Sequence, residues 1–112
     1  MTERLSPTAE DAQRELVRVA DRLRVIGPRL AARGTPAAEE ALGQVRTGLQ
    51  QLADLAAQAA GEPIRAVPGL APHALADQVL VLGHDLLAGP AGATDVRRAD
   101  AVRALVRIRD LL

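Results

Sequence analysis

The chain has 112 residues, and none of them is Phe, Tyr, Trp, Cys, Lys or Asn. Its formal charge is zero, because 14 Asp and Glu residues balance 14 Arg residues. This inventory removes several side chains that act as nucleophiles or proton carriers, and the charge balance argues against a dedicated nucleic-acid or anionic-membrane binder. At this length we expect one domain over residues 1–112. The bias toward Ala, Arg, Leu and Val is typical of a GC-rich coding sequence.

The first helix is predicted to open at Ser6-Pro7, with Ser6 as its cap and Pro7 in its first turn. Apolar residues then recur in unbroken 3-4 spacing, which is typical of a helix packed lengthwise on another. These residues are Ala9, Ala12, Leu16, Val19, Leu23, Ile26 and Leu30. Gly27-Pro28 interrupts the helix, which either kinks or stops there. Leu30 stays in phase with the spacing, which favours the kink, and Gly34 ends the segment.

The second helix is predicted to open at Thr35-Pro36 and to end at Gly61, a natural C-cap. Its apolar residues keep the same 3-4 spacing. They are Ala38, Leu42, Val45, Leu49, Leu52, Ala56 and Ala59. Gly43 and Gly48 lie inside this helix, where they mark either close backbone approach or tolerated weakness.

A Pro/Gly-rich connection over about residues 61–72 follows. We expect it to cross the bundle with Ile64, Val67 and Leu70 turned inward. Such a crossover lets the second and third helices be parallel or non-adjacent, whereas the short Gly34-Thr35 turn makes the first two antiparallel. With a fourth helix opening at Thr94, the pattern predicts an all-α four-helix bundle.

The third helix, from about Pro72 to Ala88, carries two apolar seams. The first seam is Leu75, Val79, Leu82 and Leu86. The second seam is Ala76, Leu80, Gly83 and Leu87. A helix that is apolar on two faces is usually buried on both, so we expect it at the centre of the monomer or in a subunit interface.

Two histidines and an aspartate form a polar stripe on the third helix. His73, Asp77 and His84 share one face, but the histidines are roughly 16 Å apart along the axis. One metal ion cannot bind both within a chain, and we expect no metal or other cofactor. The sequence around His84 resembles the phospho-accepting helix of histidine kinases through Gly83-His84-Asp85-Leu86, which implies phosphotransfer at His84. The basic residue of that motif is replaced by Leu87.

Arginines form stripes on the first and fourth helices. The possible anion contacts are Arg14, Arg18, Arg22, Arg103 and Arg107. Acids flank them at helical spacing, so both stripes are predicted to be self-paired surfaces rather than nucleic-acid sites. These acids are Glu10, Glu15, Asp21, Asp100 and Asp110.

The leading hypothesis is a non-catalytic helical protein–protein interaction module, a small adaptor, regulator or scaffold that forms a homodimer. The second seam of the third helix is the predicted interface, with His84 beside it. The alternative is a small-ligand-binding or accessory subunit that uses space between helices, with Arg65 or an arginine of the fourth helix as anion anchor. The polar N-terminus and the lack of a long apolar run lead us to expect a cytoplasmic protein without a membrane span.

Overall fold

The computed structural model describes residues 7–90 and 94–112 of the chain. Every regular element in these ranges is helical, and four long helices pack around one apolar core. The prediction of an all-α four-helix bundle is therefore confirmed. None of the described helices has the length and apolar character that crossing a lipid bilayer requires.

Four α-helices and one short 3-10 turn make up the fold. The helices are α1 (Ala9–Arg33), α2 (Pro36–Ala60), α3 (Leu75–Ala88) and α4 (Asp95–Asp110). The 3-10 turn over Pro72–Ala74 leads directly into α3. The predicted third helix is thus present, with a tighter first turn than an α-helix has.

Helix α1 begins two residues later than the sequence predicted. Thr8, rather than Ser6, is the N-cap: its hydroxyl accepts a hydrogen bond from the Asp11 amide, and the Asp11 carboxylate accepts one from the Thr8 amide. This reciprocal pair is a capping box, and Ser6 lies outside the described residues. The helix continues through Pro28 to Gly34, whose φ of 61° ends it. The alternative in which the helix stops at Gly27-Pro28 is wrong.

The predicted ends of the other helices follow local capping chemistry. The Thr35 hydroxyl accepts from the Ala38 amide at the start of α2, and the Thr94 hydroxyl accepts from the Arg97 amide at the start of α4. Gly61 has a φ of 68° and caps the C-terminus of α2, a conformation that glycine adopts without steric penalty. These three cap predictions are confirmed.

The order of the helices in space differs from their order in the chain. Helix α1 makes its most extensive contact with α3 and also packs on α4, while α2 packs on both α4 and α3. The sequence neighbours α1 and α2 contact each other less extensively than either contacts α3 or α4. The core between them is built from leucine, valine and isoleucine. Its largest fully buried members are Leu16, Leu23, Leu49, Leu52, Leu75, Leu86, Leu105, Ile108, Val19, Val45 and Val79.

The connection from α2 to the 3-10 turn, residues 61–71, is called the crossover segment below. Ile64 and Leu70 were expected to point inward, but they are 55% and 42% exposed, and only Val67 is half-buried. The inward prediction is therefore wrong for two of the three residues. The physical reason is that polar side chains of α2 and α3 hold the segment by its main chain. The carbonyls of Arg65, Pro68 and Leu70 and the amide of Val67 all take part.

The two glycines inside α2 have different environments. A Cβ atom on Gly48 would lie 2.5 Å from Cγ1 of Ile108, a fully buried residue of α4, so the backbones of α2 and α4 approach closely there. Nothing lies within 4 Å of a Cβ atom placed on Gly43. Of the two readings of these glycines, close approach applies to Gly48 and tolerated weakness to Gly43.

We expect alanine to have opposite effects at these two positions. Gly43→Ala should raise the free energy of unfolding by about 1 kcal/mol, because alanine loses less backbone entropy in a helix. Gly48→Ala should lower it by about 1 kcal/mol or more, because overpacking against Ile108 outweighs that gain. Urea unfolding followed by far-UV circular dichroism measures both. Equal stabilisation by the two substitutions would contradict the close α2–α4 approach.

Candidate functional site

Two of the five residues in the predicted interface on α3 are buried within the chain itself. Ala76 is 3% exposed, and the Leu16 side chain of α1 occupies the space that a Cβ atom on Gly83 would need. These two residues are buried within the monomer and cannot form an interface with a second copy, which corrects that part of the prediction. A leucine at Gly83 would disrupt the α1–α3 packing itself.

The rest of the predicted interface remains accessible. Leu80 and Leu87 are half-buried at the edge of the core, and His84 is exposed. Val81, which follows Leu80 on α3, is 60% exposed although it is apolar. The sequence pattern missed Val81 because it belongs to neither of the two apolar seams.

Helix α1 adds a further apolar side chain to this surface. Residues 16 and 83 meet in the core, and Arg24 pairs with Asp77 at 3.7 Å, so α1 and α3 run antiparallel. Val17 follows Leu16 and lies two turns from Arg24, which places it at the level of His84 on the outside of the helix pair. Val17 is 47% exposed. We call this surface, defined by Val17, Leu80, Val81, His84 and Leu87, the outer α1–α3 face.

The predicted polar stripe is on the surface of the molecule. His73 lies in the 3-10 turn, whereas Asp77 and His84 lie on α3, and all three are exposed. The Asp77 carboxylate pairs with Arg24 of α1. Within residues 7–90 and 94–112, no three His, Asp or Glu side chains come together as metal ligands.

Most of the predicted anion-contacting arginines already have acceptors. Arg14 pairs with Glu10 and Asp11, Arg18 pairs with Glu15, and Arg103 pairs with Asp100. Arg22 donates to the Leu112 carbonyl at 2.9 Å, and Asp21, one of the predicted partners, pairs with Arg24 instead. Arg107 is exposed and lines a groove between α2 and α4.

An ion pair between α1 and α4 was not predicted from the sequence. The Glu15 side chain is only 10% exposed, and both of its oxygens accept from Arg109 Nη1, at 2.8 and 2.9 Å. Arg18 adds a longer contact at 3.5 Å. Glu15 directly precedes Leu16, a core residue, so the methylene groups of Glu15 lie at the edge of the core. Its partner is 94 residues away, and helical spacing carries no signal for it.

A mostly apolar cavity that is widely open to solvent lies between the crossover segment, α2 and α3. Its volume is about 480 Å³, and we call it the crossover cavity. It is lined by Ala53, Arg65, Ala66, Val67, Pro68, Leu70, Ala74, Asp77, Gln78, Val81 and Leu82. A second cavity of about 420 Å³ shares Ala53, Arg65 and Leu82 with it and reaches Asp85. Arg65, which the sequence suggested as an anion anchor, thus lines both cavities.

Gln78 is the one polar side chain of the crossover cavity with a buried, unused atom. Its Nε2 donates to the Pro68 carbonyl at 2.8 Å. Its Oε1 is buried and has no hydrogen-bond donor among the described residues. An unsatisfied buried acceptor costs roughly 1–3 kcal/mol, whereas an exposed cation such as Arg65 contributes about 0–1 kcal/mol to an ion pair.

Comparisons with known proteins add no assignment to this geometry. The chain matches no protein-family model, no curated protein and no solved structure.

We expect the buried Glu15 carboxylate to contribute to stability through Arg109. Glu15→Gln should lower the free energy of unfolding by about 1–3 kcal/mol, because Arg109 then loses its charged partner in a partly buried site. Glu10→Gln is the control, since Glu10 is 87% exposed and its contact with Arg14 is 4.0 Å long. Urea unfolding measures both variants. An equally small change in the two would show that the α1–α4 pair is energetically neutral.

Proposed function

We propose that the chain is a non-catalytic interaction module that forms a homodimer through the outer α1–α3 face. The observation that carries this proposal is the exposure of Val81 and Val17, at 60% and 47%, beside the half-buried Leu80 and Leu87. Burying an exposed valine stabilises an association by up to roughly 1.5 kcal/mol. Clustered apolar side chains on a surface mark an interaction site more often than scattered ones.

Charge supports a second copy as the partner. Around a two-fold axis near Val81, the Arg24–Asp77 end of one copy faces the Val17–His84 end of the other. His84 then approaches Asp77 of the second copy, so an imidazole faces a carboxylate and like charges are kept apart. A self-complementary surface of this kind is what a two-fold interface requires.

The composition supports a non-catalytic role. The chain contains no Cys, Lys or Tyr, and its single serine is Ser6. About half of the acids and arginines that the structure describes take part in ion pairs, most of them along a single helix. We therefore infer that the module acts by binding, as an adaptor, regulator or scaffold component.

We expect Val81→Glu to separate the homodimer. The glutamate would bring an unpaired charge into the centre of the apolar contact and weaken association by roughly 100-fold. Light scattering measures the mass of the particle in solution. The protein concentration is measured by refractive index, because a chain without Trp or Tyr has almost no near-ultraviolet absorbance. The wild-type protein should have twice the monomer mass of 11.7 kDa.

Val96→Glu is the matched control for this experiment. Val96 is 72% exposed at the start of α4, outside the proposed interface, so this variant should remain a dimer. A monomeric wild-type protein across the concentration series would overturn the dimer. A dimeric Val81→Glu variant would move the interface to another surface.

A further inference from the structure

We propose that the groove between α2 and α4 binds a small polar carboxylate, and that Arg107 holds the carboxylate group. This α2–α4 groove has a volume of about 290 Å³. Three polar side chains of α2 line it, together with one cation and two apolar residues of α4: Gln44, Thr47, Gln51, Arg107, Ile108 and Leu111. None of these residues belongs to the outer α1–α3 face, so the site is independent of the association proposed above.

Arg107 is a cation whose hydrogen-bond donors are unused. It is exposed, and its side chain makes no hydrogen bond or ion pair among the residues that the structure describes. Asp110, the acid nearest to it along α4, lines a hollow on the α1 side of the helix together with Arg18 and Arg22. The guanidinium of Arg107 is therefore available to a ligand.

The lining of the α2–α4 groove carries one positive charge and no negative one. Other arginines without an ion pair line cavities that also contain an acid. Arg65 shares the crossover cavity with Asp77, and Arg97 shares a smaller cavity with Asp100. Within the described ranges, no Asp or Glu lines the α2–α4 groove beside Arg107. The charge in this groove thus favours an anion.

A single guanidinium favours a carboxylate over a more highly charged anion. The planar fork of arginine matches the two oxygens of a carboxylate in a bidentate contact. One positive charge balances a monoanion, whereas a phosphate monoester carries nearly two negative charges at neutral pH. A volume of about 290 Å³ lies at the lower bound of small-ligand sites, which is roughly 300 Å³. The ligand is therefore a short molecule.

The remaining side chains of the groove determine the body of the ligand. Gln44 and Gln51 are exposed, and their amides make no hydrogen bond with the described residues, so each can donate to and accept from a ligand. They lie seven residues apart on α2 with Thr47 between them, and thus share one face over about 10 Å. Ile108 and Leu111 supply an apolar wall. We therefore expect a carboxylate with a hydroxyl or amide group on its chain.

The core fixes the walls of the groove. Gly48 and Ile108 are buried where α2 and α4 approach closely, and both also line the groove. Leu111 is half-buried and packs against the same core. Because this contact holds the two helices at a set distance, binding needs to order only surface side chains.

A carboxylate and its amide test the role of charge. 3-Hydroxybutyrate and 3-hydroxybutyramide have head groups of the same shape, but only the first is an anion. The chain has three isoleucines, so in a methyl NMR titration Ile108 reports binding while Ile26 and Ile64 are internal references. We expect the acid to shift the Ile108 signal and to bind about 5-fold more tightly than the amide, because it forms one additional exposed ion pair.

Two arginine variants assign this preference to one residue. In Arg107→Gln, the acid and the amide should bind equally. Arg97→Gln is the matched control, because Arg97 is exposed on the same helix, lies outside the groove and changes the net charge equally. The 5-fold preference should persist in this control, and far-UV circular dichroism verifies that both variants are folded. A preference that persists in Arg107→Gln would overturn the proposal.

The polar body of the ligand is tested with butyrate, which lacks the hydroxyl group. We expect butyrate to bind about 3-fold more weakly than 3-hydroxybutyrate, because it forms one hydrogen bond fewer. The double variant Gln44→Ala/Gln51→Ala should remove this difference. Equal binding of the two acids to the wild-type protein would contradict the assigned role of the glutamines.

The wild-type titrations also contain outcomes that would overturn the site or its ligand class. Equal binding of acid and amide, or no binding by either, would remove the carboxylate site. Shifts at Ile26 or Ile64 without a shift at Ile108 would place binding elsewhere. Inorganic phosphate that binds at Ile108 more tightly than 3-hydroxybutyrate would assign the groove to phosphate instead of carboxylate.

Discussion

The close approach of α1 and α3 is the contact on which the arrangement of the helices depends. A chain without aromatic residues fills its core with leucine, valine and alanine, so its helices must come near one another to exclude water. Gly83 makes this possible, because the Leu16 side chain occupies the position of its missing Cβ atom. Gly48 serves the same purpose for α2 and α4 at Ile108. Two glycines thus set the spacing at two helix–helix contacts.

The same contact determines which surfaces are left for binding. Ala76 and Gly83 are buried in the core, whereas Val81 and His84 of the same helix are exposed. The flank toward the crossover segment carries Gln78 and Leu82 and forms one wall of the crossover cavity. A single helix of fourteen residues therefore serves the core, the outer α1–α3 face and the cavity.

The parts of the fold that follow from local chemistry could be predicted from the sequence. Threonine caps, the glycine after α2 and the 3-4 apolar spacing gave the helices and most of their ends. The same spacing identified Ala76 and Gly83 as apolar-face residues, but it could not say whether α1 or a second copy covers them. Periodicity predicts that a residue is buried, but it does not identify the helix or second copy that covers the residue.

The parts that depend on distant residues could not be predicted. Glu15 and Arg109 are 94 residues apart, and nothing in the local pattern of either indicates the other. Ile64 and Leu70 were expected inside because they are apolar, yet glutamine and arginine side chains hold their segment by its backbone. Val81 belongs to neither apolar seam of α3, so the spacing did not single it out as part of a surface.

The way the crossover segment is held has a consequence for how the chain can change in evolution. Gln50, Gln78 and Arg46 recognise main-chain atoms, which every residue type shares, so the bonds do not depend on the side chains of residues 65–70. Only position 67 must keep an amide hydrogen and therefore exclude proline. The outer wall of the cavity is free to vary in its side chains while its backbone stays in place.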